Sequence, residues 1–203
     1  MAPTELAGVS VTVGGLPAPI LYAQASQINF IVPQQVTGPT TNVCVTNAGV
    51  ESCLFAFVLP AWPGVFCIGP CNSFAVLDED GSINLPGRGA APGSAIMIFG
   101  TGLGLFERMP ADGSIVSGPL DYLAAPVTAE FVLPPNTCLT PPFCPSTIHP
   151  ATVLFAGAAP EELLGLDQVN VLIPKDVPTG LAVPLWLISP ASPVPAKLTV
   201  TIQ

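Results

Sequence analysis

The chain has 203 residues, half of them hydrophobic and only 8% charged, with 26 prolines and 19 glycines. That many backbone breakers leave little room for long helices, because proline removes a donor and clashes inside a helix. The net charge of -9 rests on four cations, Arg88, Arg108, Lys175 and Lys197, too few and too scattered for the basic stripe that nucleic acid or an anionic membrane surface requires.

Residues 8–13 alternate Val with other residues and predict a strand that stops at Gly14-Gly15. Residues 20–23 and 28–32 predict the next two. Residues 41–47 and 50–57 predict a hairpin about Ala48-Gly49. With a two-residue loop, Asn47 faces Val50, Thr46 faces Glu51, Val45 faces Ser52 and Cys44 faces Cys53. Counted from the loop, that last pair is non-hydrogen-bonded, where side chains approach most closely, so the two thiols lie within disulfide reach. Pro60-Ala61-Trp62-Pro63-Gly64 is the natural boundary, with Trp62 expected as a buried wedge.

Beyond it, residues 74–77 and the segment after Gly81 predict a hairpin about Asp78-Glu79-Asp80-Gly81. Residues 94–99 predict a buried strand, stopped by Gly100-Thr101-Gly102-Leu103-Gly104. Strands follow at 127–133, 151–156, 168–173, 181–188 and 196–203, and residues 161–166 predict the one short helical turn. The longest apolar stretch, residues 54–68, is cut by Pro60, Pro63 and Gly64 and falls short of the ~20 residues a membrane helix needs. Short strands at this spacing predict an all-β protein of two tandem immunoglobulin-like β-sandwiches, residues 1–60 and 61–203.

One phrase occurs twice. Gln27-Ile28-Asn29-Phe30-Ile31-Val32-Pro33 returns as Gln168-Val169-Asn170-Val171-Leu172-Ile173-Pro174. Val36 and Gly38 match Val177 and Gly180, and Pro17-Ala18-Pro19-Ile20-Leu21-Tyr22-Ala23 matches Pro150-Ala151-Thr152-Val153-Leu154-Phe155-Ala156. Such self-similarity indicates duplication of one supersecondary unit. The copies are not equivalent: residues 94–104 precede the second, and residues 1–7 are too short to supply that strand to the first. The first sandwich is therefore expected to lack an N-terminal strand, leaving a hydrophobic groove and unpaired edges.

Six cysteines fall into the pairs Cys44 and Cys53, Cys67 and Cys71, and Cys138 and Cys144. Zinc is the rival to three disulfides, but the spacings offer at most half a ligand set, and His149 is the only histidine. Disulfides imply an oxidising compartment, hence an extracellular or cell-surface location. No basic n-region followed by an apolar h-region opens the numbering, so Met1-Ala2-Pro3 is expected to stand in place of a removed export signal.

The only acidic cluster, Asp78-Glu79-Asp80 before Gly81, offers with the later Asn84 a partial calcium set (Asp78, Asp80, Asn84), but Asp-Gly is also a common hairpin turn, and that reading is preferred. Asp112-Gly113-Ser114 reads as another turn. Gly100 to Gly104 lacks the Lys-Ser/Thr of a phosphate-binding loop. No nucleophile elbow accompanies His149. Asn29 and Asn170 are expected as buried amides bonded to neighbouring backbone. Trp62, Trp186, Tyr22 and Tyr122 could stack on sugars, although packing is the preferred reading.

The phrases Gly14-Gly15-Leu16-Pro17-Ala18-Pro19-Ile20-Leu21-Tyr22, Gln27-Ile28-Asn29, Pro63-Gly64-Val65-Phe66, Asp80-Gly81-Ser82-Ile83-Asn84, Gly100-Thr101-Gly102-Leu103-Gly104 and Gln168-Val169-Asn170 occur in this order. In this the chain resembles the C-terminal domain of exported Solibacter-type acidobacterial proteins, over nearly its whole length. The resemblance implies tandem immunoglobulin-like modules similar to IPT/TIG domains, and no known activity. The family's Gly-rich strand ahead of the first module is missing here, and the cysteine pairs are not part of its general pattern.

The expected function is therefore non-enzymatic and structural: a subunit that assembles by β-strand addition, or a spacer, with a carbohydrate- or ligand-binding adhesion module as the alternative. No cofactor is expected beyond the weak calcium candidate. Self-association or neighbouring surface domains are the expected partners. The assembly contacts are expected at positions 10 and 12 of the N-terminal strand (Ser10, Thr12) and at Leu198 and Val200 of the C-terminal one.

Overall fold

In the computed structural model, which describes residues 1–69, 73–108, 110–117, 120–133 and 146–203, every regular element is a β-strand. The N-terminal part contains β1 (Glu5–Leu6), β2 (Val9–Val13), β3 (Leu16–Pro17), β4 (Ile20–Gln24), β5 (Gln27–Phe30), β6 (Thr40–Asn47) and β7 (Val50–Phe57). An antiparallel sheet runs in the order β1-β2-β6-β7, with β3 folded onto β2, and β4 and β5 form a separate two-stranded sheet. The β2–β3 turn needs glycine, since Gly14 and Gly15 hold φ of 60° and 80°. Val11 and Val13 of β2 point to the same face by strand alternation. They pack with Ala18 and Ile20, and Ile28, Phe30, Val43 and Val45 close around them. The β4–β5 pair is thus a second layer over β2 and β6.

The C-terminal part contains β8 (Gly64–Val65), β9 (Cys67–Ile68), β10 (Ser73–Phe74), β11 (Val76–Asp78), β12 (Ala95–Thr101), β13 (Thr128–Leu133), β14 (Thr147–Ala158), β15 (Asp167–Leu172), β16 (Gly180–Ile188) and β17 (Ala196–Ile202). One antiparallel ladder runs β11-β12-β15-β14-β13-β16-β17, with β8 on β12. β14 is 12 residues long, and it pairs with β13 through residues 147–151 and with β15 through residues 152–158. One strand thereby serves both layers of a sandwich. Alternate residues of β12 and β15 (Ile96, Ile98, Val169, Val171) meet those of β13, β16 and β17 (Phe131, Leu185, Leu198, Val200) in one buried core.

The fold departs from the sequence expectations at residues 161–166, at β14 and at Trp62. Residues 161–166 are not a helical turn: Glu161 has φ of 65°, and Leu163 bridges Ile115, so this backbone pairs across to residues 114–116 instead. β14 is twice the expected length because Pro150 lies within it opposite Glu130. Trp62 is 59% exposed rather than a wedge, and it is its main chain that is held. Trp62 N–H donates to Gly102 O at 2.9 Å, and a Cβ on Gly102 would lie 2.5 Å from the Trp62 carbonyl oxygen.

The two parts join through the turn at Asp112. Gln34 N–H donates to Asp112 Oδ1 at 3.2 Å, Gln34 Nε2 donates to Pro110 O at 3.0 Å, and Ala2 N–H donates to Gly113 O at 2.7 Å. Among the described residues no helix is long and apolar enough to cross a membrane.

Candidate functional site

The duplicated phrase folds the same way twice. In β4–β5, Ile20 faces Phe30, Tyr22 faces Asn29, Ala23 faces Ile28 and Gln24 faces Gln27, with a bulge at Leu21. In β14–β15, Val153 faces Val171, Phe155 faces Asn170, Ala156 faces Val169 and Gly157 faces Gln168, with the bulge at Leu154. Each matched residue occupies the matched register position, including the bulge. The polar pair repeats too: Gln27 Nε2 donates to Asn29 Oδ1 at 2.7 Å, and Gln168 Nε2 donates to Asn170 Oδ1 at 2.8 Å. Both phrases end in one turn, Val36 N–H to Pro33 O and Val177 N–H to Pro174 O.

The copies differ at their far edge. Opposite β15 lies β12, with Ile96 facing Val171, Met97 facing Asn170 and Ile98 facing Val169. Ile173 N–H donates to Ser94 O, so by alternation the N–H groups of Val169 and Val171 also point at β12. In the N-terminal copy Ile31 N–H donates to Pro19 O on the β4 side. The N–H groups of Ile28 and Phe30 therefore point away from β4, and among the described residues no strand pairs with that edge.

A groove lies beside this edge. Val13, Val36, Val43, Ala56 and Phe57 line an apolar cavity of about 720 Å³ that reaches Val32, just past β5. Val32 also borders a cavity of about 710 Å³ formed by Ile28, Phe30, Ile31 and the turn at Glu162. Leu54 belongs to the inner face of β7, opposite Val43, and is 78% exposed. Its setting contrasts with β17, where Leu198 and Val200 are 2% exposed under a complete second layer. The uncovered strip of the N-terminal part is where an extension of the β4–β5 layer would lie.

The hairpin register is as expected, and Cys44 and Cys53 form a disulfide with Cα atoms 4.0 Å apart. Cys67 is disulfide-bonded as well. Cys71, Cys138 and Cys144, on which the expected pairs Cys67–Cys71 and Cys138–Cys144 depend, lie outside the described residues. Among the described residues one group of three metal-ligand types occurs, Cys44, Glu51 and Cys53, and two of its members are consumed by the disulfide.

Ser10 and Thr12 lie in β2, paired on both sides with β1, β3 and β6 rather than on an edge. Leu198 and Val200 point into the core. Ser10 and Thr12 are thus held within their sheet, whereas Leu198 and Val200 belong to β17, the end strand of its ladder, with their side chains in the core. The residues that border the open edge of β5 and the uncovered inner face of β7 are Ile28, Phe30, Val32 and Leu54, and the expectation that the first copy lacks a strand was the sequence signal for them.

Asp78 and Gly81 form the expected turn, with Gly81 N–H donating to Asp78 O and Ser82 N–H donating to Asp80 Oδ1. Asn84 is buried and spent: Nδ2 donates to Asp78 Oδ1 and Thr201 O, and Oδ1 accepts from Thr201 N–H. Its carbonyl oxygen is therefore engaged by backbone and not presented to a cation. Asn29 and Asn170 are corrected: both face outward from their strands, bonded to glutamine rather than buried against backbone. His149 Nδ1 lies 2.9 Å from Asp176 Oδ2. Trp186 lies under Lys197 Nζ at 4.5 Å, Tyr122 stacks edge-on against Phe155, and Tyr22, Tyr122 and Trp62 are exposed.

Asp167 is a residue that pattern reading missed. It precedes the repeated phrase, is 2% exposed, and borders a cavity of about 190 Å³ between the two parts. Leu103 N–H donates to its Oδ2 at 2.9 Å, and burial pushes the carboxyl up to about 7 against that bond. No family model, curated protein or solved structure matches the chain.

Proposed function

We propose that this chain is a non-enzymatic extracellular structural protein of two immunoglobulin-like modules, residues 1–60 and 61–203. Its first module accepts a β-strand from outside to complete itself. One observation carries the reading: the same β-pair occurs twice, and β12 fills in one copy the edge left open in the other. An exposed edge beside an apolar groove is the arrangement that strand addition uses, main-chain bonds giving affinity and side-chain pockets giving selectivity. The Cys44–Cys53 disulfide favours an oxidising location. The ordered motifs favour kinship with the Solibacter-type C-terminal domain, which occurs in exported proteins.

Hydrogen exchange on native secreted material and on the recombinant chain tests this. Amides of Ile28 and Phe30 should exchange freely in the recombinant chain and become protected in the native material, while those of Val169 and Val171 are protected in both. Equal protection of both pairs in the recombinant chain would make it a self-contained spacer. The exposed Tyr22, Trp62 and Tyr122 favour a second reading, a carbohydrate-binding adhesion module. Glycan-array binding lost on Tyr122→Ala would promote it.

A further inference from the structure

The chain carries its own template for what the open edge takes. β12 lies antiparallel to β15 and sends Ile96 and Ile98 into the core, fully buried, while Met97 between them faces outward. Transferred onto β5 through the duplicated register, an incoming strand places its inward residues opposite Phe30 and Ile28 and its outward residue opposite Asn29. Inward aliphatic residues there extend the layer past the half-buried Val43 toward Leu54, which is 78% exposed.

Charge selects the donor. Residues 1–60 contain no lysine or arginine. In the antiparallel sense of β12, the donor's N-terminal end lies beside Ile31 and Val32, where the cavity wall carries Glu162, with Glu161 next to it in sequence. A second copy of this chain brings a net charge of -9 to that site, and its own β12 is sealed in its core. Like charge disfavours it.

We infer that the open edge of β5 takes an extended segment from outside residues 1–203, aliphatic at two alternate positions and carrying Lys or Arg just N-terminal to them. This rests on the strand-acceptor reading above.

The test uses the full chain and a fluorescent peptide with the sequence of residues 94–101 preceded by two lysines, followed by fluorescence anisotropy. Saturable binding is expected, at least tenfold weaker when both isoleucines of the peptide become aspartate and when the protein carries Leu54→Asp. Replacing the two lysines by glutamates should weaken binding, and Glu162→Lys in the protein should reverse that order. Binding indifferent to the flanking charge overturns the basic-donor inference and leaves strand acceptance standing. No peptide binding, with concentration-dependent self-association that Leu54→Asp abolishes, makes a second copy the occupant and overturns the inference. Neither binding nor self-association sinks the inference and the strand-acceptor reading together.

Discussion

Leu54 stands opposite Val43 on the inner face of the β6–β7 hairpin, yet Val43 is half-buried in the core and Leu54 is 78% exposed. Both side chains point to the same side of the sheet. What separates them is the reach of the second layer, which ends at β5. An exposed leucine on a core-facing position is an unfinished core, and it makes stability a direct probe of where the sandwich stops.

Leu54→Ser should change the unfolding free energy of the isolated chain by less than ~0.5 kcal/mol, because little burial is lost. Leu198→Ala, at 2% exposure in β17, should cost about 2–5 kcal/mol. Urea denaturation of the two variants side by side measures the contrast. A Leu54→Ser loss comparable to that of Leu198→Ala would mean that the groove is already filled in solution.

The Cys44–Cys53 disulfide closes a short loop, with a sequence separation of 9, across a hairpin that edges the N-terminal sheet. In the chain-entropy account a loop of that size contributes about 2–3 kcal/mol, less whatever the hairpin already orders when reduced. The Cys44→Ser/Cys53→Ser variant should therefore lose up to ~2 kcal/mol, with disruption centred on β6 and β7. Hydrogen exchange should show faster amide exchange there and unchanged protection in β15 and β17. Uniform loosening of both parts would contradict this.

The hairpin, its disulfide and the duplicated pair were legible in the sequence because each rests on local rules. A two-residue loop fixes register, and a period of two fixes faces. The same rule, applied to Gln27 and Asn29, would also have placed both on one outward face, where Gln27 in fact bonds Asn29. What escaped depends on distant partners. Pro150 hides the length of β14, since only the facing β13 makes that segment a strand. Leu198 and Val200, on the end strand β17, read as free for assembly until the opposite layer is known to bury their side chains. Glu161 leaves helical geometry because the backbone of residues 114–116 engages the 161–164 segment.

Asn84 ties the Asp78 turn to β17 through three hydrogen bonds, all buried: Nδ2 to Asp78 Oδ1 at 2.7 Å, Nδ2 to Thr201 O at 2.9 Å, and Thr201 N–H to Oδ1 at 2.7 Å. Burial raises the Asp78 carboxyl above its ordinary range, and the Asn84 amide offsets part of that. Asn84→Ala leaves Thr201 N–H and a carboxylate unsatisfied, at a cost of about 1–3 kcal/mol for each stranded group. Thermal unfolding should register the loss, and calcium should not restore it. Calcium-dependent recovery would reinstate a cation site at Asp78, Asp80 and Asn84.

Asp167 should give the protein an unusual pH dependence. Its carboxyl is raised from 3.8 to about 7 by desolvation, with the bond from Leu103 N–H pulling the other way. A group whose folded pKa lies above its unfolded value binds its proton more tightly in the fold. Its stabilising contribution is complete below pH ~4 and is lost as the pH rises through about 7. The shift corresponds to roughly 4 kcal/mol between those limits. Asp78, also raised by burial, acts in the same direction. Guanidinium titrations at pH 5 and pH 8 should therefore find the chain markedly less stable at pH 8. Asp167→Asn keeps an oxygen for Leu103 N–H and removes the ionisation, so it should flatten most of that slope and stabilise the chain at pH 8. A wild-type chain equally stable at both pH values would show that the Asp167 carboxylate is accommodated without cost at the junction of the two parts.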